Sequence, residues 1–327
     1  MRRLCGRLVN PVGLGCMSLS WAYGDPPPHD DKVRLLNAAL DAGYDHLDTA
    51  NIYGAGTNEE LLSDAVMHRR AEFMLASKTG IIVDGPRRGI DCSPDGIAAS
   101  LDASLRRLGT DYLDLFYMHR FDPKVPIADS VGAMVRAIEA GKIGAYGVSE
   151  WSSAHIREAH GVHPMAAVQT EMSLWTRNAE LGVLETTRAL GIALVAFSPV
   201  ARGALGGELR DPSALGERDL RRTHPRFSAD NWPKNLALIE RFEALAASAG
   251  LAPAQLALAW VLAQGDHLHA IPGTTSVAHM RENIAAASIE VAPTVLENAG
   301  ALINQLSVAG HRYPDAMLAT IDTEEFS

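Results

Sequence analysis

Residues 47–62 read "LDTANIYGAGTNEELL". An apolar run ends in an acid, Asp48. Tyr53 then sits beside glycines, and a leucine-bearing amphipathic stretch follows. The local reading is a strand, a turn and a helix, with Gly54 and Gly56 serving the turn. Thr57 and Glu60 fit the T-x-x-E capping box that opens helices. A strand that carries an ionisable residue at its C-terminal end and runs at once into a helix is the unit of a parallel α/β sheet, whose reactive groups gather at strand ends.

Outward from this stretch the unit repeats. Helical stretches such as "DKVRLLNAALDAGY", "NEELLSDAVMH", "PDGIAASLDASLRRLG" and "IADSVGAMVRAIEAGKI" lead to the apolar runs "DHLDTA", "EFMLASKTG", "YLDLFYMHR" and "GAYGVSE". "SAHIREAHGV" leads to "MAAVQTEMS", "GVLETTRALG" to "IALVAFSPV", and a long helical region at 234–264 to "HAIPGTT". "VAHMRENIAAA" closes the series. With an opening strand at "VGLGCM", the strands number eight, which is the number that closes a parallel barrel. A doubly wound sheet is the rival, but its GxGxxG signature is absent, because "GLGCMS" lacks the third glycine. The expected fold is therefore α/β, a (β/α)8 TIM barrel forming one domain over 1–327. An irregular insert at about 203–233 follows the seventh strand, where it would help cover a ligand. A polar tail at about 293–327 ends in "DTEEFS", expected to fray.

Composition narrows the function. The chain has 39 acids against 29 Lys+Arg, a formal charge of -10, and no basic cluster that would track a phosphate backbone, so nucleic acid is not an expected partner. No window approaches a spanning length of apolar residues, so no membrane is expected either. Three cysteines without CxxC spacing read as reduced thiols of a cytoplasmic protein. The histidines form no HExxH or His–Cys grouping, so no metal is expected.

The chemistry lies at the strand ends. Asp48 and Tyr53 follow the second, Lys78 ends the third and His119 the fourth, so a barrel brings them to one mouth. A free tyrosine, with a pKa near ~10, gives up its proton poorly at neutral pH. A neighbouring ammonium stabilises the phenolate and lowers that value. Asp48 would hold Lys78 charged and in place, and His119 would hydrogen-bond a carbonyl oxygen and turn it toward Tyr53. Singly, each has an ordinary structural reading: a strand-end cap, a rim aromatic, a solvated lysine, a hydrogen-bonded imidazole. At successive strand ends they read as a general-acid site for a carbonyl receiving a hydride.

At these residues the sequence resembles the aldo-keto reductase family, and the resemblance covers nearly the whole chain. It is carried by "LGCM" at 14–17, "LDTANIYG" at 47–54, "ASKTG" at 76–80, "YLDLFYMHR" at 112–120, "GKIGAYGVSE" at 141–150, "VQTEMS" at 168–173, "FSPVARG" at 197–203 and "IPGTTSVAHMREN" at 271–283. "HPRFSADNWPKNLALIE" and "HRYPDAM" are similar to segments of the bacterial and fungal branch with a short C-terminal loop. The resemblance implies a barrel that binds an extended nicotinamide cofactor without a Rossmann domain, with the catalytic tetrad on Asp48, Tyr53, Lys78 and His119. It also implies carboxamide contacts from Ser149 and Gln169. Glu150 stands where the family has Asn, and a carboxylate cannot donate as an amide does. By the same resemblance Phe197 stacks on the nicotinamide ring, and "SPVARG", with Ser198 and Val200, folds over the pyrophosphate. Gly273, Thr274, Thr275 and His279 fall at the ribose and 2′-phosphate, Glu282 and Asn283 at the adenine. The implied cofactor is NADPH. NADH stays admissible because "GTTS" lacks the usual basic residue, leaving Arg281, Arg221 or Arg222 to supply charge.

Trp21, Tyr23, Phe121 and Trp151 are the candidate substrate-pocket residues, with Trp175 beside them, and such a rim suits apolar or ring-bearing carbonyls. The short tail implies an open pocket. The resulting expectation is an NAD(P)H-dependent carbonyl reductase of small aldehydes or ketones, reversible to the alcohol, as a monomer or weak homo-oligomer. Two rivals remain: a cofactor-sensing regulatory subunit with little turnover, and an aldolase using Lys78 as a Schiff base.

Overall fold

The first element is one that the repeat does not announce. β1 (Arg2–Leu4) and β2 (Arg7–Val9) pair antiparallel and bury Leu4 and Val9 against Met74, Ala76, Leu115, Tyr117 and Val195. This hairpin plugs the N-terminal end of a barrel. Arg2 pins it by donating to the carbonyls of Leu262, Gly265 and Leu268. The computed structural model describes residues 1–84 and 87–326, with the backbone alone at 84, 87 and 88. Ser327, the end of the expected tail, lies outside the described residues.

The barrel strands are β3 (Leu14–Gly15), β4 (His46–Asp48) and β5 (Met74–Thr79), then, after an added hairpin of β6 (Ile81–Asp84) and β7 (Arg87–Ile90), β8 (Leu113–Met118), β9 (Ile143–Ser149), β10 (Ala167–Glu171), β11 (Ala193–Phe197) and β12 (Leu268–Ile271). Their hydrogen-bonded order is β12-β11-β10-β9-β8-β5-β4-β3, all parallel. Val12 bridges Ala270, and the Gly13 and Gly15 amides donate to the carbonyls of Ala270 and Pro272, so the last strand meets the first. All eight expected strands are present, and the fold is the expected (β/α)8 barrel.

Helices cover the outside for the reasons their sequences state. α1 (His29–Asp41), α2 (Thr57–Val66), α3 (Pro94–Leu108), α4 (Ile127–Glu139), α5 (Ser153–Val162) and α6 (Val183–Leu190) each follow a strand. α3 is typical. The Ser93 hydroxyl caps it by accepting from the Gly96 amide, Pro94 occupies its first position, and Gly109 ends it at φ 64. Only there is a left-handed residue needed, and glycine supplies it without a Cβ clash. Ile97, Leu101, Leu105 and Leu108 face inward at helical spacing.

One expectation needs correction. The helical region at 234–264 is two helices, α7 (Trp232–Ser248) and α8 (Pro253–Leu262), bent 87° apart. Gly250 turns left-handed at φ 71, and Pro253 cannot continue the amide ladder. α9 (Val277–Ala285), α10 (Pro293–Leu302) and α11 (Asp315–Leu318) complete the chain. No single described helix is long and apolar enough to cross a membrane. Cys5, Cys16 and Cys92 are free thiols, and burial pushes each up to about 12.

Candidate active site

Seven described non-glycine residues have positive φ, and six of them lie at the C-terminal end of the barrel: Ala22, Ala55, Glu150, Ser198, Ala201 and Arg202. Side-chain-bearing residues pay a steric penalty there, and such strain clusters where loops must take one particular shape. The six come from the loops after β3, β4, β9 and β11, which together ring one mouth.

Asp48 is the last residue of β4, 2% exposed. The chain then turns through Gly54 at φ 57, Ala55 at φ 56 and Gly56 at φ 98. A Cβ on Gly54 would lie 2.3 Å from Thr57 Oγ1, so glycine is required at that point. The expected capping box does not form. Gly56 is the N-cap of α2, the Thr57 hydroxyl donates back to the Gly54 carbonyl at 2.9 Å, and Glu60 is exposed. Helix entry is instead held by Glu59, which is fully buried and accepts from Ser77 and Arg107.

The turn carries Tyr53 back toward β5. Lys78 Nζ, with no exposed surface, donates to Asp48 Oδ1, to the Thr49 carbonyl at 2.7 Å and to the Tyr53 hydroxyl at 3.2 Å. His119 follows β8, its amide bound to the Thr79 carbonyl at 2.8 Å, and its ring stands edge-on to Tyr53 with centroids 6.1 Å apart. The structure thus brings all four tetrad candidates together.

Their electrostatics follow from burial. Burial pushes the Asp48 carboxyl up, against the pull of Lys78 and the Gln169 amide. For Lys78, burial works against the charge, but Asp48 and Tyr53 outweigh it and hold the ammonium above its ordinary value. Burial also raises the Tyr53 phenol, and Lys78 only partly offsets this. The net direction is opposite to what the lysine alone would give, so the phenol carries its proton at neutral pH. His119 is driven well below 6.5 by burial, with Arg120 and Lys78 adding to the effect. It is a neutral imidazole, and its Nδ1 has no partner among the described residues.

Asp48, Tyr53 and His119 open onto a cavity whose wall also includes Ser149, Gln169, Phe197, Ser198 and Val200. Gln169 Nε2 donates to Asp48 Oδ2 at 2.8 Å. Ser149 Oγ is buried without a hydrogen-bond partner among the described residues. A second hollow adjoins the first through Val200 and Gly273. It is lined by Arg221, Thr274, His279, Glu282 and Asn283. Gly15 and Gly273 make the junction narrow, since a Cβ on either would lie within 3.0 Å of a backbone oxygen. The two hollows form one groove that suits an extended two-ended ligand, and the orphaned Ser149 hydroxyl fits an amide at its inner end. Thr275 is exposed and lines neither hollow. Of the three arginines considered, only Arg221 reaches the groove, where Asp219 already pairs with it at 2.6 Å. Arg222 is spent on the Leu215 carbonyl, and Arg281 is exposed.

The substrate side differs from expectation. Trp21 and Tyr23 line the cavity, whereas Phe121 and Trp151 do not. Phe121 stacks on His155 at 4.1 Å and meets Trp151 edge-on at 5.1 Å, which turns both rings away into the packing beside α5. Trp175 is likewise buried against Phe227 and Trp232. In their place stand Tyr313 and Met317 from the tail, with Leu220 from the insert.

Glu150 explains why the tail is there. At φ 59 its side chain leaves the groove altogether. Oε1 accepts from Thr170 Oγ1 at 3.0 Å and the Glu171 amide at 2.7 Å, while Oε2 accepts from Arg312 at 3.1 Å and Thr323 Oγ1 at 2.9 Å. Arg312 also reaches Glu325, and Asp322 accepts from the Ser152 amide. Residues 322–325 of the segment expected to fray are therefore tied down, and the pocket is walled rather than open. The next residue, Tyr313, accepts from Arg202 at 2.7 Å, and Arg202 pairs with Glu171 at 3.0 Å.

Comparison with known proteins agrees with this architecture. The Aldo/keto reductase family profile matches residues 11–301. A probable aldo-keto reductase 1 of Glycine max is 40% identical over 307 residues, covering 93% of this chain and 88% of that one. Among solved structures, a glycerol dehydrogenase from Gluconobacter oxydans superposes with a TM-score of 0.83 at 28% identity, covering 92% of this chain and 94% of its own. An aldo-keto reductase from Klebsiella pneumoniae in complex with NADPH gives 0.72 at 25% identity, covering 95% and 99%.

Proposed function

The chain belongs to the aldo/keto reductase family of NAD(P)H-dependent oxidoreductases, and from that premise we propose that it reduces aldehydes or ketones with Tyr53 as the general acid. The observation that carries this reading is the Asp48–Lys78–Tyr53 chain of contacts among three buried side chains at the floor of a cavity. A bound reduced nicotinamide supplies the hydride, and the remaining tasks fall to this chain's own residues.

Ser149 and Gln169 would hold the carboxamide, Phe197 the ring face, and the strained loop of Ser198, Val200 and Arg202 the middle of the cofactor. Neutral His119 donates an N–H to the substrate carbonyl and turns it toward Tyr53. As negative charge grows on that oxygen, the Tyr53 proton moves to it, leaving a phenolate. Lys78, kept charged by Asp48, stabilises that phenolate in a site where the low local dielectric strengthens the interaction. A tyrosine that stays protonated at rest and has an ammonium waiting for its conjugate base is suited to general-acid work.

The proposed cofactor is NADPH, with NADH accepted as well. Arg221 is the one Lys or Arg lining the outer hollow among the described residues, and it is already paired with Asp219. His279 there faces Glu208 at 3.2 Å, and Glu282 adds negative charge. A 2′-phosphate normally seeks an uncommitted guanidinium or ammonium.

Fluorescence titration with NADPH and NADH, followed by turnover on a panel of aldehydes and ketones, tests the reading. Binding plus cofactor oxidation is expected. Binding of neither cofactor contradicts it, and binding without turnover on any carbonyl would favour a sensing subunit instead.

A further inference from the structure

The charges on the pocket wall do not balance. Three of its lining residues carry charge: Asp48, Arg202 and Arg120. Asp48 is neutralised by Lys78 and Arg202 by Glu171. Arg120 has no carboxylate partner among the described residues. It gives one hydrogen bond to the carbonyl of its neighbour His119, at 2.6 Å, and no other described acceptor takes its remaining N–H groups. Partly buried and facing the cavity, this guanidinium is the pocket's one uncompensated charge among the described residues, in a chain whose formal charge is -10. A cation in a partly desolvated pocket is held most favourably when an anion meets it.

On the proposed cofactor path, the phosphates would not meet Arg120. Arg120 follows β8, three places from β11 in the sheet, whereas the strained loop and the outer hollow lie at β11 and β12. Beside its polar groups, the cavity that Arg120 lines also presents apolar and aromatic surface from Trp21, Tyr23, Ile52, Leu220 and Met317. Resting on the carbonyl-reductase reading, we propose that Arg120 binds a carboxylate on the substrate, so that the favoured substrates are aldehydes or ketones joined to a carboxylate through an apolar or aromatic spacer. The planar fork of the guanidinium matches a carboxylate in a way a lysine would not.

The test compares 4-carboxybenzaldehyde with its uncharged methyl ester, in the wild-type protein and in Arg120→Gln and Arg120→Lys, using whichever cofactor binds. The ester is intrinsically the more reactive aldehyde, so a preference for the acid must come from the protein. A charge-assisted hydrogen bond corresponds to a preference in kcat/KM of roughly ten- to a hundredfold for the acid, expressed mainly in KM. Arg120→Gln should abolish that ratio, and Arg120→Lys should restore part of it. A wild-type protein that turns over both compounds without preferring the acid overturns the proposal and leaves the reductase reading standing. So does an Arg120→Gln protein that slows both alike and shifts the pH profile, because the guanidinium would then act on Tyr53 and His119. Turnover of neither compound by a protein that binds cofactor would count against the reductase reading itself.

Discussion

Arg312 donates to Glu150 at 3.1 Å, and neither side chain is more than 2% exposed. This contact ties the C-terminal tail to the strand end that carries Ser149, so the tail's part of the cavity wall and the proposed cofactor site share one anchor. Removing one member of a buried ion pair leaves the other uncompensated, typically at a cost of about 3–5 kcal/mol. Glu325, half exposed, still faces Arg312 and would soften this. Glu150→Ala should therefore lose about 3 kcal/mol of stability and raise KM for carbonyl substrate more than Kd for cofactor. Thermal melts and steady-state kinetics check this. A wild-type melt with unchanged KM would mean that the tail is held by other contacts.

Ser149 gives a prediction of opposite character. Its hydroxyl is buried and has no hydrogen-bond partner among the described residues, so removing it takes away no hydrogen bond made there. Ser149→Ala should leave the melting temperature unchanged or slightly raised. It should weaken cofactor binding by about fivefold, the worth of one net hydrogen bond. Calorimetric titration and a melt together decide it, and a destabilised variant with unaltered cofactor affinity would remove Ser149 from the carboxamide site.

Buried histidines set an acid limit to stability. Burial lowers His46 to about 4 and His269 to about 3, and it also depresses His119, His224 and His267. Below the unfolded value near 6.5 the unfolded chain takes up protons that the folded chain refuses, so the stabilising contribution is full above pH 6.5 and is lost as pH falls toward the folded values. His46 and His269 each contribute a loss of about 1.4 kcal/mol per pH unit across that window, and the other three act in the same direction. Urea midpoints should drop steeply between pH 7 and pH 5. Equal midpoints at the two values would contradict the assignment of neutral, desolvated imidazoles.

The parts of this molecule legible in its sequence are those where local pattern and global fold agree. "DHLDTA" and "EFMLASKTG" announce strands because apolar runs between amphipathic helices have few alternatives, and their terminal Asp48 and Lys78 meet because adjacent parallel strands align their ends. The direction of Glu150 is not legible: it depends on one left-handed φ, which no periodicity encodes. Phe121 and Trp151 misled for a related reason, since a residue after a strand can turn into the mouth or away from it. Tyr313 and Met317 were hidden because their place in the pocket depends on an anchor at Arg312 and Glu150, 162 residues apart. Arg120 stood in plain view beside His119. Its signal, a charge without a partner, exists only once every neighbouring side chain has been placed.

The central claim is that Tyr53 delivers the proton. The most direct measurement is turnover of reduced nicotinamide with an aldehyde substrate by Tyr53→Phe, alongside its cofactor affinity. Loss of a positioned general acid should lower kcat by about 10²–10⁴-fold while cofactor affinity stays near the wild-type value. A variant that still reduces the aldehyde at a wild-type rate would contradict the account.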